Sequence, residues 1–242
     1  MELPFDKHLR TRLYLVRHGQ ASSSAGKGDV YGDAIALTAL GTREAQAMGA
    51  FLADVPFDIA YCSPIARARE TAGHILEGRD IEPIHENRFK EIQGDFAGIL
   101  GQDLGEEQLQ AAFAYNIWEA GAKDARFFDG ELFADYIARV AAAMTDLVRP
   151  EQAGIKLVVA HSGFLRAALT WALDAGPLAM AAFEQDSCAL NILDVDTSPD
   201  GRIVRKHVRL ANFTPLDPTK ANLRLTNGEE MASRLLAHVR QA

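Results

Sequence analysis

Residues Leu13–Ala21 read LYLVRHGQA. The four apolar residues Leu13–Val16 have the length and composition of a strand buried on both faces. Arg17 and His18 follow with no turn residue between, and Gly19 comes next. A buried strand has no reason to end on a guanidinium and an imidazole unless its end faces something polar. Gly19 lets the backbone turn sharply there or approach a ligand closely.

Similar apolar runs recur along the chain. Strands are expected at Leu13–Val16, Phe57–Cys62, Ile81–His85, Lys156–Ala160, Cys188–Val195 and Ile203–Leu210. Between and after them, apolar residues at three- and four-residue spacing predict helices over 38–54, 63–78, 106–122, 131–148, 164–173 and 229–241. Strands alternating with helices predict a three-layer αβα sandwich around a mostly parallel sheet of about six strands. The last two strands are joined by DVDTSPDGR, residues 194–202, which is too short for a crossover helix. They therefore read as a hairpin, with the final strand antiparallel at an edge. Two segments break the rhythm. Residues 22–35 form a polar, Gly-containing loop, and residues 93–130 read as an insertion or lid within one domain spanning 1–242.

Composition narrows the classes. The chain has 242 residues, 48% of them hydrophobic and 24% charged, which is enough for one α/β domain with no staple from disulfides or metal. Its net charge of −8 disfavours nucleic acid or an anionic membrane as a partner, without forbidding an anionic small substrate. Cys62 and Cys188 read as lone buried thiols. The N-terminal stretch has no apolar core of the signal-peptide kind and no run is long enough to span a membrane, so the cytoplasm is the expected location. The histidines fall at no metal-ligand spacing, and neither G-x-S-x-G nor G-x-G-x-x-G is present. ASSSAGKG, residues 21–28, imitates a P-loop but has Gly28 where that loop needs Ser or Thr.

In an open parallel sheet, ligands bind beyond the carboxyl ends of the strands. There the chain offers Arg17-His18-Gly19, the stretch YCSPIARARE (61–70), the stretch NRFKEIQG (87–94), and His161-Ser162-Gly163. Ser63 reads as an N-cap and Pro64 as the first helical residue, which puts Arg67 in the first turn. A cation there opposes the helix dipole unless it shares an anion with the helix end. Arg69 points elsewhere on the same helix. Ser162 reads as the N-cap of the next helix. Two histidines, two arginines and helix N-termini together suit a tetrahedral oxyanion, most simply a phosphoryl group. One histidine can attack phosphorus as neutral imidazole, and Glu91 can protonate the leaving oxygen and then activate water. The spacing leaves open which histidine attacks.

LYLVRHGQ (13–20), LTALGTREAQAMGAFL (37–52), YCSPIARARETA (61–72), GELFADYIARV (130–140) and VVAHSGFLRAAL (158–169) resemble, in this order, the histidine phosphatase superfamily, also called phosphoglycerate mutase-like. The likeness is to phosphatase-type members with an R-H-G-Q-A-S loop. It implies His18 as the phosphorylated nucleophile and Arg17, Arg67 and His161 as the phosphate pocket. It further implies a backbone donor near Ser162, Glu91 as the proton donor, and no cofactor. EIQGDFAG (91–98) departs from the family's usual pattern after that acid, so Asp95 and Glu131 stand as other carboxylates for the role. The expected activity is hydrolysis of a small phosphate monoester. Mutase-type phosphoryl transfer and non-catalytic binding of a phospholigand are the alternatives. Ser22 and Ser24 are candidate substrate contacts, and Lys27, Arg43 and Arg88 candidates for further substrate charge.

Overall fold

A computed structural model of the chain describes residues 7–21, 32–95, 124–127, 129–221, 225–226 and 229. Ser22, Ser24, Lys27, the expected helix over 106–122, most of the 93–130 segment and most of the expected last helix lie outside them.

The chain builds β1 (Leu9–Arg17), α1 (Ala39–Phe51), β2 (Ile59–Cys62), α2 (Ala66–Ile75), β3 (Ile84–His85), α3 (Phe133–Leu147), β4 (Ile155–Ala160), α4 (Ser162–Ala172), β5 (Leu190–Thr197) and β6 (Ile203–Phe213). The strands form one six-stranded sheet in the order β3-β2-β4-β1-β5-β6. Alternation along the strands divides the core in two. Leu13, Leu15, Val158 and Leu193 pack with α3 and α4. Val16, Leu157, Val159 and Leu190 pack with α1 and α2 on the other face. This is the expected αβα sandwich, with β1 and β4 at its centre.

The hairpin forms as expected, and β6 lies antiparallel to β5 at the edge. The strand that runs against the other five is β5. It enters the sheet beside the carboxyl end of β1, where Leu190 pairs with Val16. A strand's apolar pattern is the same in both senses, so this reversal had no signature in the sequence.

Several boundaries differ from the sequence reading for identifiable reasons. β1 starts at Leu9, four residues early, because Arg10 and Arg12 make bidentate pairs with Asp196 and Asp194 across the β1–β5 ladder. β3 starts only at Ile84, after Pro83, which has no N–H to give a ladder. Ser63 is not the cap of α2. The N-cap is Ile65 and no side chain caps the helix, because Ser63 Oγ is turned to His161. Nor is Ser162 the cap of α4. His161 holds that position in extended conformation and Ser162 is the first helical residue. Among α1 to α4, α1 alone has a side-chain cap of the expected kind, with Thr38 Oγ1 accepting the N–H of Gly41 at 3.0 Å.

The register explains the site's position. Arg17 pairs with Ala160 and Cys62 with Val159. β1, β2 and β4 therefore end side by side, and the residues that follow, His18, Ser63 and His161, emerge together at one rim. The N–H of His18 donates to Ala160 O at 3.0 Å and that of Ser63 to Val159 O at 2.9 Å, which continues the ladder into the site.

Candidate active site

His18 and His161 face each other with ring centroids 5.1 Å apart, in an edge-on arrangement. Both are buried. His18 Nδ1 lies 2.7 Å from Gly19 O, and Arg67 Nε donates to His18 Nε2 at 3.1 Å. A nitrogen that accepts from a guanidinium carries no proton. The ring is therefore neutral, protonated on Nδ1, with its Nε2 lone pair toward Arg67. Burial holds the His18 pKa well below the ordinary imidazole value, and Arg67, His161 and Arg17 push it in the same direction. His161 is lowered likewise, by burial first and then by Arg67, Arg17 and Arg139. Neutral imidazole is the form that can attack phosphorus.

Arg67 is the second residue of α2 and only 6% exposed. It stands in the first turn as the sequence implied. Arg69 is exposed on another face. The 3.3 Å bond from Arg67 Nη1 to Gly32 O fixes the other end of its fork. Arg17 donates to Gln185 O at 2.7 Å, and Gln185 is itself buried and paired amide to amide with Asn191. The segment that leads into β5 thus anchors the β1 guanidinium. Gly19 packs directly on α1, where an added Cβ would come 2.5 Å from Gly41 O.

Glu91 reaches this rim from the segment after β3. Its Oε2 accepts the N–H of Gly163 at 3.1 Å. Its Oε1 accepts from Tyr136 Oη at 3.2 Å and from Ile92 N–H at 3.0 Å. The carboxyl group therefore rests on the N-terminus of α4, two residues past His161. The Gly163 N–H, next to Ser162, is thus taken by Glu91. Ser162 Oγ accepts from Arg166 Nε at 3.2 Å.

The other candidates have separate partners. Glu131 binds Arg139 through both oxygens and accepts the N–H of Gln93. Asp95 is exposed. Arg88 is spanned by Glu86 and Asp146, and Arg43 is an exposed residue of α1.

Four contributors went unrecognised in the sequence. Ser63 Oγ lies 2.8 Å from His161 Nε2. Thr71 Oγ1 accepts the N–H of Gly19 at 3.0 Å and donates to Arg67 O, joining the β1 turn to α2. It stands four residues after Arg67, on the same helix face, and that spacing was a usable signal. Tyr136 is a fully buried hydroxyl in the apolar stripe of α3, which a scan for polar breaks in that stripe would find. Gln185 acts through its carbonyl and has no such signature.

Known proteins resemble this chain in sequence and in fold. The 2-carboxy-D-arabinitol-1-phosphatase of Triticum aestivum is 29% identical over 212 residues, which are 87% of this chain and 42% of that protein. The chain therefore spans less than half the length of that relative. A 2,3-bisphosphoglycerate-dependent phosphoglycerate mutase of Brucella anthropi is 35% identical over 174 residues, 67% of this chain and 81% of the relative. The alpha-ribazole phosphatase from Shigella flexneri matches in fold with a TM-score of 0.63 at 24% identity, covering 84% of this chain and 96% of that one. The sequence pattern of the histidine phosphatase superfamily (branch 1) matches residues 13–207, and the chain belongs to that family.

Proposed function

We propose that the protein is a phosphomonoesterase that hydrolyses a small phosphorylated metabolite through a phosphohistidine on His18. The observation that carries this reading is the buried, neutral His18, its Nε2 lone pair held by Arg67 and its ring opposite His161. Arg17, Arg67 and His161 would take the phosphoryl oxygens, Arg67 passing its donation from His18 to the substrate and freeing Nε2. Nε2 then attacks phosphorus. The ester oxygen leaves with a proton from Glu91, and Glu91 afterwards takes a proton from the water that attacks the phosphohistidine. Inorganic phosphate departs and His18 is restored. No cofactor or metal takes part.

The cytoplasm is the proposed setting, which suits the free, buried thiols of Cys62 and Cys188. Among the described residues no helix is long and apolar enough to cross a membrane. The relative named as a mutase favours a second reading, in which a second phosphorylated molecule rather than water receives the phosphoryl group.

The test is phosphate release from p-nitrophenyl phosphate and a panel of metabolite esters. His18→Ala should fall to background, and Glu91→Gln should lose about 10²-fold or more in kcat. Absence of turnover by the pure wild type, across the panel and a pH series, rejects the esterase. Retained activity in Glu91→Gln rejects only the acid assignment. Phosphoryl exchange between sugar acids without net phosphate release favours the second reading.

A further inference from the structure

Ser63 is fully buried at the carboxyl end of β2, and among the described residues its side chain meets the site through His161. Its Oγ accepts the N–H of Ile65 at 3.4 Å. A serine hydroxyl has one proton to give and two lone pairs. With a lone pair taken by Ile65, the proton remains for an acceptor, and His161 Nε2 lies 2.8 Å away. If Nε2 accepts, a neutral imidazole must carry its proton on Nδ1. His161 Nδ1 is buried and has no hydrogen-bond partner among the described residues.

The tautomer decides what His161 offers a ligand. A phosphoryl oxygen with no proton can only accept. An Nδ1–H attracts it, and a bare Nδ1 lone pair repels it. His18 shows the same tautomer with the opposite outcome. Its Nδ1–H is spent on Gly19 O and its Nε2 lone pair is kept for attack. One ring presents a nucleophile and the other a donor because their fixed contacts lie on opposite nitrogens.

We propose that Ser63 is a positioning residue that locks His161 in the Nδ1–H tautomer, so that the second histidine donates to the phosphoryl group. The kinetic consequence rests on the phosphomonoesterase reading, whereas the tautomer itself does not.

The experiment uses the full chain labelled with ¹⁵N-histidine, with His161 assigned by comparison with His161→Gln. Two-bond ¹H–¹⁵N spectra at pH 7.5 should show a neutral His161 protonated on Nδ1. In Ser63→Ala the proton should move wholly or partly to Nε2. Vanadate affinity and kcat/KM should then each fall about tenfold or more, and Ser63→Thr, which keeps the hydroxyl, should recover both to within about threefold. Should Ser63→Ala not fold, Ser63→Cys keeps the shape and weakens the donor, and a partial shift of the proton is expected. A wild-type His161 protonated on Nε2 overturns the proposal whatever the variants do. So does a Ser63→Ala or Ser63→Cys protein with the tautomer unmoved. Failure of the wild type to hydrolyse any ester, with the tautomer responding as stated, rejects the phosphatase reading and leaves the role of Ser63 standing.

Discussion

Arg67 does two electrostatic tasks with one guanidinium. Its Nε holds the His18 lone pair, and its charge opposes protonation of that ring and of His161. Burial is the larger cause for both histidines, so removing the cation should relax their pKa values only in part. In Arg67→Ala the His18 titration followed by ¹H–¹⁵N NMR should move up toward the ordinary imidazole value, and kcat/KM should fall about 10²-fold or more. Arg67→Lys separates charge from geometry. A lysine keeps the repulsion that lowers the His18 pKa but lacks the fork that the proposed phosphate pocket calls for. Its titration should stay near that of the wild type while its activity falls. A His18 titration that does not move in Arg67→Ala would show that the cation plays no part in keeping the ring neutral.

At the scale of the element, α4 acts through its first turn. Its Gly163 N–H holds Glu91 Oε2, and the close approach requires glycine, since an added Cβ would lie 2.3 Å from Glu91 Oε1 and 3.1 Å from Tyr136 Oη. The carboxylate is the flexible partner and would be the one to move. Gly163→Ala should therefore lower kcat about 10²-fold or more with little change in Tm, because alanine is the better helix former. A thermal melt beside initial rates checks this, and unchanged kcat would remove the α4 end from the acid's positioning. Elements differ in how far the sequence reveals them. Burial on both faces leaves an apolar run, so β1 and β4 were readable. The polar residues that close those runs marked Arg17, His18 and His161. Residues 9–12 of β1 were not readable because Arg–Asp pairs, not apolar side chains, carry that part of the ladder. Ser63 was misread as a cap because its true partner lies 98 residues away. Tyr136 meets Glu91 across 45 residues and Arg17 meets Gln185 across 168, and such partnerships exist only once the sheet has formed.

Across the whole molecule, the site makes stability depend on pH. The protein has a net charge of −8, yet its rim holds two buried neutral histidines among cations. On unfolding, each histidine regains an ordinary pKa near 6.5 and takes up a proton below it. The unfolded chain then binds more protons than the folded one, so stability falls as pH drops through about 6.5 and continues to fall until the lowered folded values are reached. Both histidines should therefore cost stability as the pH falls from 7.5 to 5.5. Carboxylates act in a different window. The hydrogen bond from Arg10 is the main cause holding Asp196 down to about 2, and its loss sets in only below about pH 4. Urea unfolding at pH 7.5, 6.5 and 5.5 and constant ionic strength isolates the histidine term. His18→Asn, which cannot titrate, should lose less stability over that range than the wild type. Equal losses in the two proteins would mean that His18 gains its proton in the folded state as readily as in the unfolded one, and the neutral nucleophile would have to be abandoned.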